Sequence, residues 1–170
     1  KYDSTNSPLS KWMVRKIQID RNNVKWILNN NRMYWYDNNA FATIPQIDSL
    51  GNLMSYSIDS HDVKWFNSYS SDLISFDNQH YKNYNFRRNT LSNYIRNLAF
   101  DTTGVAYIGF QQGNGIPTYD GTNWDHIEIP GHSNSIVITG IDKNNVLWAV
   151  CNGRDVHRYD GISWTTFDST

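Results

Sequence analysis

The amino-acid sequence predicts an all-β fold, a β-propeller of four repeats of a four-stranded antiparallel blade, and three observations carry that prediction. A repeat with a period near forty residues runs through the whole chain. Each period holds four short strand-like runs separated by tight-turn residues. Aromatic side chains recur at fixed offsets from two aspartates in every period. The first aspartate is Asp20, Asp59, Asp101 and Asp142, at spacings of 39, 42 and 41 residues, and six positions on stand Trp26, Trp65, Tyr107 and Trp148. The second is Asp37, Asp77, Asp120 and Asp160, followed four positions on by Phe41, Tyr81, Trp124 and Trp164.

The strands can be justified in chain order. In the first period Val14 to Ile19 is a strand-like run ending at Asp20, and Arg21-Asn22-Asn23 supplies residues that tolerate a hairpin's positive φ. Val24 to Leu28, Met33 to Tyr36 and Phe41 to Ile44 complete the blade. The second period reads Met54 to Ile58, Val63 to Phe66, Leu73 to Phe76 and Tyr81 to Tyr84. The third reads Ile95 to Phe100, Val105 to Ile108, Ile116 to Tyr119 and Trp124 to Ile129. Pro117 within it belongs at a strand start or edge, where a missing N–H is not needed. The fourth has Ser135 to Ile141, then Val146 to Val150, apolar almost throughout and so expected to be buried on both faces. Val156 to Tyr159 and Ser163 to Phe167 follow, joined by the short hairpin signal Asp160-Gly161. No helix is expected. A sandwich of sixteen strands is the competing all-β fold, but it leaves the constant aromatic spacing unexplained.

Composition narrows the function classes. The 170 residues carry 15 Lys+Arg against 16 Asp+Glu, so charge gives no case for nucleic acid or an anionic membrane as partner. Aromatics make up 15% of the chain, which suits a pleated, half-buried surface. The single cysteine, Cys151, cannot form an intrachain disulfide and reads as a small buried hydrophobe in a strand. No apolar run is long enough for a membrane helix, so no membrane insertion is expected. The chain begins at Lys1 without Met, and the absence of a signal peptide says nothing about export.

Ile-x-Ile-Asp, a polar turn, Trp, and later Tyr-Asp-Gly-x-x-Trp together resemble the two-component-regulator propeller repeat. That repeat is common in Bacteroidetes, in periplasmic sensor regions of hybrid histidine kinases and in secreted multi-blade proteins. Asn6-Ser7-Pro8-Leu9 resembles the connector between blades of the secreted kind. The resemblance covers essentially the whole chain. It implies a secreted, cell-surface or periplasmic location, and it speaks to scaffold rather than to active site. The family's Gly-Thr after the second-strand Trp is missing here, replaced by Leu28-Asn29-Asn30, Asn67-Ser68-Tyr69 and Val150-Cys151-Asn152; Ile108-Gly109-Phe110 keeps the first Gly.

The blades are expected at about 12–45, 52–85, 93–130 and 134–170, with 1–11 a remnant of a preceding fourth strand plus connector. Phe167-Asp168-Ser169-Thr170 matches Tyr2-Asp3-Ser4-Thr5, the phase expected of blades drawn from a longer array. A closed four-blade disc, a segment of a longer propeller and an eight-blade ring of two copies all fit, and the segment is favoured. Partners would then include further blades or another copy.

No residue pattern speaks for catalysis, a metal or a cofactor. The repeated aspartates belong to hairpins, where a carboxylate accepts backbone N–H groups, and the repeated Trp residues to packing between blades. Asp20-Arg21-Asn22-Asn23 and Asp142-Lys143-Asn144-Asn145 are rich in oxygen but lack the acidic run and distal Glu of a calcium loop. His61, His80, His126, His132 and His157 share no ligand spacing and are assigned to exposed or turn positions. A non-enzymatic recognition module is expected, binding a glycan or protein ligand, with a structural scaffold as the alternative. The ligand face would comprise the loops from second to third strand and from blade to blade. Its candidates are Arg32, Tyr69, Arg87, Arg88, Gln111, Gln112, His132 and Arg154, with Trp12 beside them, because aromatic, amide and guanidinium groups suit glycans and extended peptides.

Overall fold

The computed structural model describes residues 2–11, 13–69, 72–85, 95–111, 115–131 and 136–168. Among these residues sixteen strands form four separate four-stranded antiparallel sheets, each a simple meander. The first holds β1 (Val14–Ile19), β2 (Lys25–Asn29), β3 (Arg32–Tyr36) and β4 (Phe41–Ala42). The second holds β5 (Leu53–Ile58), β6 (Lys64–Ser68), β7 (Asp72–Phe76) and β8 (Tyr81–Asn85). The third holds β9 (Ile95–Phe100), β10 (Ala106–Phe110), β11 (Ile116–Tyr119) and β12 (Trp124–Ile127). The fourth holds β13 (Ile136–Ile141), β14 (Leu147–Cys151), β15 (Asp155–Tyr159) and β16 (Trp164–Phe167). The first strands of successive sheets lie beside one another, β1 by β5, β5 by β9 and β9 by β13, so the sheets are arranged as propeller blades around an inner row of strands.

Both aromatic spacings have a geometric cause. The first aspartate of each blade closes the turn between the first two strands. Asp20 Oδ1 accepts the N–H of Asn22 and of Val24, and the same pair of bonds recurs at Asp59, Asp101 and Asp142. The residue three after it takes a positive φ: Asn23, Asp62, Gly104 and Asn145. In the first three blades the other oxygen, Oδ2, meets the ring six positions on. Trp26 Nε1 donates to Asp20 Oδ2 at 2.9 Å and Trp65 Nε1 to Asp59 Oδ2 at 2.9 Å. In the third blade the Tyr107 hydroxyl lies 3.4 Å from Asp101 Oδ2, and burial, with the Asp101 charge beside it, pushes that phenol up to about 12. The second aspartate makes a tighter turn, accepting the N–H groups two and three residues on. The aromatic four residues after it faces the aromatic one before it across the hairpin. Those rings lie 4.6 Å apart in Tyr36–Phe41, 4.5 Å in Phe76–Tyr81, 4.4 Å in Tyr119–Trp124 and 4.8 Å in Tyr159–Trp164.

The core lies between blades rather than within them. Trp26, Leu28 and Met33 meet Tyr56, Phe66 and Ile74 between the first and second blades. Trp65 and Leu73 meet Leu98, Ile108 and Tyr119 between the second and third. Ile116 and Ile129 meet Ile138, Leu147 and Ala149 between the third and fourth. Each such aliphatic or aromatic side chain contributes about 1.5–3 kcal/mol on burial. Cys151 is fully buried in this third cluster, where burial pushes its thiol up to about 11.

Three expectations need correction or refinement. A short helix does occur, α1 (Pro45–Asp48), started by Pro45 in its first turn and pinned by fully buried Ile47 against the first inter-blade cluster. It shortens β4 to two residues. Pro117 lies inside β11, where the pairing with β10 covers only Ala106–Tyr119 and Tyr107–Thr118; the ladder stops where proline has no N–H to offer. His157 is fully buried instead of exposed. It sits on the interior strand β15 with Nδ1 3.0 Å from Thr166 Oγ1 and its ring edge-on to Trp164.

Candidate functional site

The two ends of the blades are built differently. One end carries the β1–β2 and β3–β4 type turns with their aspartates, and side chains lace neighbouring blades together there. Arg21 N–H donates to Asp62 Oδ1 at 3.0 Å, and Thr102 N–H and Oγ1 donate to Asn145 Oδ1 at 3.0 and 2.8 Å. The Lys64 ammonium, fully buried, sits 3.1 Å from Asp20 Oδ2, 2.9 Å from Asp62 Oδ2 and 2.8 Å from Asn78 Oδ1, with the Trp26 ring 5.2 Å away. Burial opposes ionisation of Asp20. Bonds from Trp26, Val24 and Lys64 outweigh it and hold that carboxyl below the usual range. For Asp62 burial is likewise outweighed by Lys64, the Arg21 N–H and Asn78. These groups are mutually satisfied, which is the arrangement of a structural clasp.

Among the described residues, the opposite end gathers the β2–β3 and β14–β15 turns with the segment before β1 and the connector from β4 to β5. Leu53 N–H bonds to Asn31 O at 3.0 Å, and Tyr69 N–H to Asn52 O at 3.2 Å. Asn29 Oδ1 accepts the N–H of Ser10 at 2.9 Å, and Asn67 Nδ2 donates to Ile95 O at 3.0 Å. Arg32, Tyr69, Gln111 and Arg154 stand at this end, one per blade, and all four are exposed. Among the described residues no carboxylate forms an ion pair with Arg32 or Arg154. Arg87, Arg88, Gln112, His132 and Trp12 lie outside the described residues. Part of the sequence divergence in these loops is structural, because Asn29 and Asn67 are buried amides that tie down connectors. A buried Asn is hard to tell from an exposed one by sequence, and only the absence of the resembled repeat's Gly-Thr marked the place. Among the described residues no three His, Cys, Asp or Glu side chains are grouped to hold a metal ion, and no helix is long and apolar enough to cross a membrane.

No protein-family model and no curated protein matches the chain. Solved structures do. A catalytically inactive virginiamycin B lyase from Staphylococcus aureus, crystallised with quinupristin, is similar at 17% identity and a TM-score of 0.75, over 96% of this chain and 58% of that one. The extracellular domain of BT4673 from B. thetaiotaomicron, described as a one-component system, is similar at 16% identity and a TM-score of 0.76, over 99% of this chain and 25% of that one. The extracellular domain of BT3049 from the same organism, described as a hybrid two-component system, is similar at 19% identity and a TM-score of 0.67, over 87% and 22%. The chain thus spans little more than half of the lyase and about a quarter of the regulator domains. At these identities the likeness shows the fold, and the fold is that of a β-propeller.

Proposed function

We propose that the chain is a non-enzymatic recognition module that binds a glycan or protein ligand on its connector-side loop face, in a secreted, cell-surface or periplasmic protein. One observation carries this reading. The aspartate end of the blades repeats its chemistry from blade to blade, whereas the opposite end presents long side chains that vary along the array: Arg32, Tyr69, Gln111 and Arg154. Variation on a fixed frame is how a propeller acquires a specific face, and these groups offer planar, charge-assisted and stacking contacts. The resemblance to Bacteroidetes sensor and secreted repeats supports the location, and similarity to extracellular regulator domains agrees with it.

A glycan array and a panel of extracellular peptides, screened with the wild-type chain and with Arg32→Ala, Tyr69→Ala and Arg154→Ala, test the proposal. Binding lost in at least two variants of unchanged thermal midpoint supports it; hits indifferent to all three defeat it. Similarity to a lyase calls for one control. Conversion of quinupristin by this chain, followed by mass spectrometry, would replace the binding reading with a catalytic one. A second reading, a scaffold segment within a larger assembly, is favoured by the uncovered apolar side chains of β1.

A further inference from the structure

The inner flank of the first blade repeats the interfaces that join the other three. In the strand ladders Ile17 pairs with Ile27, and the equivalent pairs are Tyr56–Phe66, Leu98–Ile108 and Ile138–Ala149. Tyr56, Leu98 and Ile138 are 0%, 5% and 2% exposed because the preceding blade covers them; Ile17 is 56% exposed. Val14 and Ile19 on the same strand are exposed as well. The backbone carbonyls at these positions follow the same rule. Tyr56 O accepts from Lys16 Nζ at 2.6 Å, Leu98 O from Ser57 Oγ at 2.9 Å, and Ile138 O from Asn97 Nδ2. In each case a polar side chain on one blade's inner strand reaches the next blade's inner strand. Among the described residues no side chain does so for Ile17 O.

The outer rim of the same flank is already occupied. Tyr84, near the end of the second blade's fourth strand, lies edge-on to Tyr119 and Trp124 of the third blade at 5.3 and 6.0 Å. Tyr2 meets the equivalent pair, Tyr36 and Phe41, at 5.3 Å each, and its hydroxyl lies 2.7 Å from that of Tyr36. Tyr2 therefore occupies the seat that the preceding blade's fourth strand takes elsewhere in the molecule.

We infer that the β1 flank docks the three inner strands of a propeller blade outside the four described, whose fourth strand is completed at Tyr2 and whose inner strand brings a hydroxyl, amide or ammonium donor to Ile17 O. This names the partner for the scaffold reading and rests on it. A second copy of this chain fits less well. A second copy's Phe167, which stands three residues after Trp164 as Tyr84 does after Tyr81, would need the seat that Tyr2 fills.

The test grafts residues 52–82 ahead of Lys1, so that Tyr2 continues a fourth strand and Ser57 and Asn67 of the graft face Ile17 and Val14. The graft is expected to raise the thermal midpoint by roughly 5 °C or more, and Ile17→Asp in the grafted chain to abolish the gain. No gain, or a gain that survives Ile17→Asp, overturns the inference. In the 170-residue chain Val14→Asp with Ile17→Asp should leave the midpoint within roughly 2 °C and reduce binding of a hydrophobic dye, since the flank is open. A fall of roughly 5 °C or more there means that the chain already covers the flank, and overturns it independently of how the graft folds. Light-scattering mass completes the set. A monomer is expected; a dimer dissociated by Ile17→Asp assigns the flank to a second copy instead. An assembly indifferent to Ile17→Asp keeps the scaffold reading and removes this flank from it.

Discussion

Replacing Lys64 by Met removes the buried ammonium of the clasp between the first and second blades and keeps most of the side-chain volume. The Lys64 side chain is fully buried, and the side chains of Asp20 and Asp62 are 3% and 11% exposed, so water cannot substitute for the lost ammonium at either 2.9–3.1 Å contact. Breaking a buried ion pair from one side costs about 3–5 kcal/mol, most of it the penalty of the carboxylates left behind. At about 2–4 °C per kcal/mol for a chain of this size, the midpoint should fall by roughly 6–20 °C at pH 7. The pH dependence identifies the cause. In the wild type both carboxyls are held below their unfolded values, so their contribution is complete above about pH 4 and is lost as pH falls through the folded values. In Lys64→Met the carboxyls keep their bonds from Trp26, Val24, Arg21 and Asn78 but lose the ammonium, so their folded values rise relative to the wild type. The penalty is then complete at neutral pH and shrinks as the variant's carboxyls are protonated. Urea unfolding at pH 7 and at about pH 3 should therefore show a penalty that narrows on acidification. A loss below about 1 kcal/mol, or one equal at both pH values, would refute the argument.

Other substitutions probe the repeat itself. Asp59→Asn keeps the turn-closing oxygen but sets an amide N–H against Trp65 Nε1–H, and urea titration should show a loss of about 1–3 kcal/mol. Asp37→Asn, at an exposed turn where Asn accepts the same two N–H bonds, should change stability by less than about 0.5 kcal/mol in the same assay. Gly115→Ala places a methyl 2.5 Å from Ile127 O at a φ of +94°, and calorimetry should record a fall of several degrees, at least about 2 kcal/mol. Arg154→Ala should leave the midpoint unchanged within about 0.5 kcal/mol and act, if at all, on ligand binding alone.

The blades, their strand order and both aspartate turns were legible in the sequence because each depends on residues close together in the chain. Asp20 and Trp26 are six apart and Tyr36 and Phe41 five apart, so a geometric need in one blade reappears as a spacing in all four. Helix α1 was not legible. Four residues carry no periodicity, and Pro45 reads equally as a strand terminator. The burial of His157 was hidden for a different reason. Its partners Thr166 and Trp164 belong to the neighbouring strand, and nothing in Val156-His157-Arg158 shows which way the ring turns. Of the candidate loop face, the sequence marked the end of the blades on which Arg32, Tyr69, Gln111 and Arg154 stand. It did not reveal that Asn29 and Asn67 beside them point inward.

Contacts between blades obey a different rule, and the difference explains why they leave no motif. The carbonyls of Tyr56, Leu98 and Ile138 are equivalent, yet an ammonium, a hydroxyl and an amide serve them in turn, from Lys16, Ser57 and Asn97. A carbonyl constrains only the position of its donor, and three side chains of different length reach it from two ladder positions. The clasp at the aspartate end is equally local. Position 62 is Asp opposite the buried Lys64 and Asp20 of the neighbouring blade; its equivalent Asn23 meets Lys25 of its own blade, Asn145 meets Thr102 of the third blade, and Gly104 lies against His61. Each interface is therefore solved as a pair, by two neighbouring blades that need not resemble any other pair. Identity repeats where the partner lies in the same blade, and complementarity replaces identity where it lies in the next. Blades of this chain should accordingly fail to exchange places even though their turns are interchangeable, because what distinguishes them is the flank each presents to its neighbour.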